Sequence, residues 1–130
     1  MKKLIILFSF ILIGLNLSAQ IDSAEYYFEK AYYSSDYQLA IDDYSRAIKI
    51  NPNYAKAYYN RGFTYNKLGK YQLAIDDYSK AININPDYAS AYLNRGIAKR
   101  YLKLEYCSDY KKACELGRQN ACEWFKLDCK

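Results

Sequence analysis

The chain contains no histidine, and that absence removes the commonest general base, the commonest metal ligand and every Ser/His or Cys/His nucleophile pair. Gly-rich phosphate loops and zinc-hydrolase motifs are missing as well. Charge is mild: the 130 residues carry +5, and without Lys2 and Lys3 the balance is 17 basic to 14 acidic, too little to imply a nucleic-acid partner. The apolar run from Leu4 to Leu15 falls short of the roughly 20 residues that a membrane span needs. With Lys2 and Lys3 before it and Ser18-Ala19 after it, the run reads as a secretory signal peptide over residues 1–19. No cysteine lies near that junction to carry a lipid. The expectation is an exported chain, periplasmic or secreted, with no stable membrane insertion after cleavage; retention of the run as a single-span anchor is the alternative.

Apolar residues and tyrosines are abundant. Hydrophobic residues make up 52% of the chain and 17 residues are tyrosine, enough for one domain with a core. A side chain with an apolar ring and a polar tip suits helix interfaces partly open to water. The strongest signal is internal repetition: Tyr37–Asn53 recurs as Tyr71–Asp87 at a spacing of 34, with 14 of 17 positions identical. The period extends upstream to about Asp22–Tyr33, and downstream Tyr88–Gly96 echoes Tyr54–Gly62. Within a unit, Tyr58, Gly62 and Tyr65, then Ala74, Tyr78, Ala81 and Ile82, fall at helical spacings, so each unit is a pair of amphipathic helices. Gly69 sits where the first helix turns, and Asn51-Pro52 and Asn85-Pro86 close the second helices.

These residues resemble the tetratricopeptide repeat. Its pattern is met in the second unit by Tyr58, Gly62, Tyr65, Ala74, Tyr78, Ala81 and Pro86. The first unit keeps Ala40, Tyr44, Ala47 and Pro52, with Ala24, Phe28 and Ala31 at the earlier positions. The third keeps Tyr92 and Gly96, has Lys99 in place of the tyrosine, and runs two residues early so that Tyr110 and Ala113 stand for Tyr78 and Ala81. The resemblance implies an all-α, right-handed superhelical solenoid of about three helix-turn-helix units (about 21–53, 54–87 and 88–118), with a capping helix at about 119–128 over the open end.

The resemblance also implies a concave groove that takes an extended peptide or a partner helix. Its offsets name Lys56, Tyr59, Asn60, Phe63 and Lys67 in the second unit, Leu93, Asn94, Ile97, Arg100 and Tyr101 in the third, and Asp22, Glu25, Tyr26 and Glu29 in the first. Tyr59, Phe63, Leu93 and Ile97 have an alternative role packing against the second helices or a neighbouring copy. One subgroup of the family grips a C-terminal carboxylate through lysines, an arginine and asparagines. Those positions read Glu25, Glu29, Asn60, Ser90 and Asn94 here, only Asn60 fits, and such a clamp is not expected.

The four cysteines, Cys107, Cys114, Cys122 and Cys129, lie in the last quarter. Residues seven apart on a helix are about 10 Å apart, too far for a disulfide. In an antiparallel hairpin turning through residues 116–120, one register joins Cys107 to Cys129 and Cys114 to Cys122 together. That connectivity is expected, helped by export. Reduced core cysteines or a four-thiolate zinc site are the alternatives, and the intervals of seven and eight suit zinc poorly. The pairs Asp42-Asp43 and Asp76-Asp77 recur at the period on second helices and read as solvated faces, as do Lys99-Arg100 and Lys111-Lys112.

Together these features point to a protein-interaction module with no enzymatic activity, cofactor or metal, and with a protein or peptide partner. The alternative is a structural component of an envelope assembly or homo-oligomer with no groove ligand.

Overall fold

In a computed structural model the described residues are 23–129. The expected signal peptide and Asp22 lie outside them. Seven helices and no strands occur among the described residues: α1 (Ala24–Tyr32), α2 (Tyr37–Ile50), α3 (Ala55–Lys67), α4 (Tyr71–Ile84), α5 (Ala89–Tyr101), α6 (Cys107–Glu115) and α7 (Gln119–Asp128). Each packs against the next in chain order, and α3 also touches α5. The chain is an all-α repeat solenoid of three helix pairs, with α7 as a last single helix.

Local chemistry starts and stops these helices. Ser23 Oγ accepts the Tyr26 amide at 3.1 Å, and Asp36 Oδ1 accepts those of Gln38 and Leu39 at 2.8 and 3.0 Å, which satisfies donors that have no partner inside the helix. At the far end of α2, Asn51 is extended before Pro52, and Asn85 repeats this after α4. The turn after α3 uses Gly69 at φ 71°, a left-handed conformation that glycine adopts without a Cβ penalty.

Packing follows the period. Tyr44, Tyr78 and Tyr110, each at most 3% exposed, are the large core side chains of successive pairs, set among Ala40, Ala47, Ala57, Ala74, Ala98 and Ala113. Small residues let the backbones close around the rings. A Cβ on Gly62 would lie 3.1 Å from Tyr78 Cε1, and one on Gly96 would lie 2.7 Å from Tyr110 Cδ1 and Cε1.

The α6–α7 hairpin sets the sulfurs of Cys107 and Cys129, and of Cys114 and Cys122, at disulfide distance, with Cα separations of 5.6 and 4.6 Å. Both pairs hold α7 against a cluster of Leu93, Tyr110, Ala113 and Ala121. Alkylation of the unfolded protein should therefore label no thiol before reduction and four after it. Replacing Cys107 and Cys129 together by serine should cost about 3 kcal/mol, the loop-closure entropy of that bridge. Labelling of any thiol before reduction would show that a pair is open.

Candidate functional site

The ten candidate groove residues of α3 and α5 separate into three groups. The first is internal. Leu93 is 3% exposed and packs on Tyr110, Ala113 and Ala121, which corrects its assignment to an open groove: α7 occupies the space its side chain would face. Tyr59 is half-buried between units, its ring 4.8 Å from that of Tyr88, and its hydroxyl accepts from Asn94 Nδ2 at 2.9 Å. Burial pushes both phenols up, that of Tyr88 to about 12, so both are neutral at physiological pH. Tyr59 and Asn94 therefore satisfy each other across α3 and α5. Asn60 is likewise engaged, donating to the Lys56 carbonyl at 2.8 Å.

The second group is exposed on α3. Phe63 is 40% exposed, with the Lys67 ammonium 5.1 Å from its ring centroid, and Lys56 is open to solvent.

The third group lies where α5 meets the terminal hairpin. Ile97, Arg100 and Tyr101 line one cavity of about 510 Å³ with Lys103, Tyr110 and Trp124, within the size range of small-ligand sites. Tyr101 is 64% exposed, and its ring stacks on Tyr71 at 4.6 Å and 4°. Arg100 Nη1 lies 3.2 Å from Asp128 Oδ2. Trp124 leans on Tyr110 with ring centroids 5.7 Å apart. Lys103 and Trp124 are absent from the groove offsets. The first follows the helix end at Tyr101, and the second belongs to the capping helix, which a repeat-by-repeat reading does not reach.

A polar device was also missed. Asp43 and Asp77, read as solvated, are 4% and 5% exposed, and Asp109 is 2% exposed. Arg61 Nε and Nη2 donate to Asp77 Oδ2 and Oδ1, both at 2.8 Å, while Nη1 donates to Ser45 Oγ of the preceding unit at 2.9 Å. Arg95 repeats this with Asp109 at 3.0 and 2.6 Å and Ser79 at 2.9 Å. In the first unit Tyr27 stands at the arginine position, and Asp43 is met instead by Lys30 at 3.0 Å and Arg46 at 3.5 Å. Lys99 corrects a second solvated assignment, since its ammonium lies 2.8 Å from Asp109 Oδ2 with the side chain 21% exposed. Within the two pairs it is Asp42 and Asp76 that face solvent, accepting from Gln38 at 3.1 Å and Gln72 at 3.0 Å. The recurrence of Ser, Arg and Asp at the repeat period was the available signal.

Among the described residues no group of three or more potential ligands could hold a metal ion, and no helix is long and apolar enough to cross a membrane.

Residues 55–88 match the tetratricopeptide repeat family and residues 30–69 match a TPR repeat family. No curated protein matches the chain. Among solved structures, the Arabidopsis OM64 TPR domain is similar, with a TM-score of 0.73 and 33% identity over 80% of this chain and 92% of that one. The first TPR of Spaghetti (RPAP3), bound to the HSP90 peptide SRMEEVD, has a TM-score of 0.74 and 30% identity over 80% and 88%. A crystal structure of MamA has a TM-score of 0.70 and 36% identity over 78% of this chain and 62% of that one. The chain thus spans under two thirds of the MamA chain.

Proposed function

Because the chain belongs to the tetratricopeptide repeat family, we propose that it is an exported interaction module that holds a peptide or helix of another protein along α3 and α5 and catalyses nothing. The observation that carries this is the cavity at the end of α5, where three residues named by the family's groove offsets come together with exposed aromatic surface. Phe63 and Tyr101 supply ring area left exposed among the described residues, and half-exposed rings anchored at one edge are common binding hot spots. The RPAP3 relative holds a peptide, which supports a peptide as the ligand class here. The positively charged leader and its apolar run support export.

Self-association is the second reading. Tyr32 and Tyr33 are 59% and 83% exposed at the N-terminal end of the stack, where no helix among the described residues covers them.

Crosslinking in cells followed by affinity capture separates the two. A Phe63→Ala, Tyr101→Ala variant should fold with unchanged helical circular dichroism and lose at least about 90% of the captured partner, roughly a 1.4 kcal/mol loss or more. Tyr59 is unsuitable for this test because its loss also breaks the bond to Asn94. Equal capture by both proteins, or capture of the chain's own copies alone, would refute the groove reading.

A further inference from the structure

The cavity between α5 and α7 has chemistry that a general peptide groove does not require. Lys103 stands one 34-residue period after Gly69 and adopts the same left-handed backbone, φ 56° against 71°. Side chains disfavour that region, so a lysine there places a cation on the cavity wall at the expense of local stability. Its ammonium forms no ion pair among the described residues, whereas Arg100 is matched by Asp128 at 3.2 Å. The wall thus carries two cations, and with the Asp128 carboxylate that meets Arg100 beside it the three charges sum to one positive. Tyr110, fully buried, sets its ring on the cavity wall with its hydroxyl beside the Arg100 guanidinium. Burial holds that phenol above its ordinary value against the opposing pull of Arg100, so it keeps its proton at neutral pH. Tyr101, fixed by its stack on Tyr71, and Trp124, fixed against Tyr110, supply two aromatic walls that are ordered before any ligand arrives.

We propose that this cavity anchors the last residue of the partner, an aromatic residue whose free α-carboxylate is held by Lys103 and Arg100 while its ring packs on Tyr101 and Trp124. The proposal rests on the interaction-module reading and names the anchor. One uncompensated positive charge calls for one carboxylate. That charge and the aromatic walls share a single cavity of about 510 Å³, so the carboxylate and the ring must be neighbours on the ligand, as they are on a C-terminal aromatic residue. The anchor uses none of the family's carboxylate-clamp positions: Asn60 and Asn94 are bonded to Lys56 and Tyr59, and Glu25, Glu29 and Ser90 offer no cation.

Trp124 is the chain's sole tryptophan and reports directly on the site. The intact protein is titrated with N-acetyl-phenylalanine, with its amide, and with N-acetyl-glutamyl-phenylalaninamide, whose carboxylate is on a side chain. Saturable change in Trp124 fluorescence is expected for the free acid, in the millimolar range suited to so small a ligand, with affinity at least tenfold above both amides. Lys103→Gly removes the cation and relieves the backbone, so its melting temperature should be unchanged or raised while the acid weakens to the level of its amide. Equal affinity for acid and amide, tight binding of the glutamyl probe, or an acid preference surviving Lys103→Gly would each overturn the anchor. Partner capture through Phe63 and Tyr101 is a separate readout, so the module reading can stand if this one falls.

Discussion

Replacing Tyr78 by alanine should cost about 4 kcal/mol, while replacing it by phenylalanine should cost nothing. The ring is 0% exposed and fills the space left by Gly62, Ala74 and Ala98. Truncation opens a cavity where the surrounding backbones, already in contact, have little room to collapse. A domain of this size has roughly 5–15 kcal/mol of total stability, so the alanine variant should lose roughly a quarter to four-fifths of it. The hydroxyl tells the opposite story. It has no hydrogen-bond partner, and burial pushes the phenol well above its ordinary value. Removing a buried donor that bonds to nothing is neutral or favourable by up to about 1 kcal/mol. Urea denaturation of the two variants beside the parent checks both statements. A large loss in Tyr78→Phe would mean that the hydroxyl has a partner.

The second large effect lies in the buried ion pairs. Asp77→Ala should destabilise by about 3–5 kcal/mol because it leaves Arg61 charged and largely enclosed, its side chain only 19% exposed. Burial pushes the Asp77 carboxyl above its ordinary value while Arg61 pulls it back, and the bonds to Asp77 hold the Arg61 guanidinium up. The charged pair therefore persists at neutral pH only with both members in place. Substituting both at once, Arg61→Met with Asp77→Leu, should recover most of the loss, since an apolar pair of similar volume satisfies the same space. Asp76→Ala, one residue away but exposed, should stay within about 0.5 kcal/mol of the parent. The contrast between adjacent aspartates is decisive. Equal effects at 76 and 77 would contradict the burial that separates them.

The repeat architecture was legible because one period governs composition, punctuation and core at once. Tyr44 and Tyr78 are 34 residues apart and Tyr110 follows after 32, so the shortened third unit could be tracked. The cysteine intervals, taken with an antiparallel hairpin through residues 116–120, named the pairs whose sulfurs lie at disulfide distance. Burial of one aspartate in each pair was not legible, because adjacent helical residues differ in direction and the cation that meets the inward one, Arg61 for Asp77 but Lys30 for Asp43, comes from a neighbouring helix. A charge that recurs within a repeat beside an equally recurrent arginine and serine was the clue. For Leu93 and Tyr59 the packing role stood beside the groove role in the sequence, and spacing could not choose between them. Family offsets describe an open groove, whereas α7 covers Leu93 and the Asn94 amide holds Tyr59. Lys103 could have been found by asking what replaces Gly69 one period later.

Photo-crosslinking in living cells tests the central claim most directly. A benzoylphenylalanine placed singly at position 63 or 101, on the proposed partner surface, is compared with one at position 76, where the exposed aspartate marks the opposite helix of its pair. Discrete adducts to another protein from positions 63 and 101, and none from 76, are expected. Adducts from position 76 alone, or adducts only to further copies of the chain, would contradict the account.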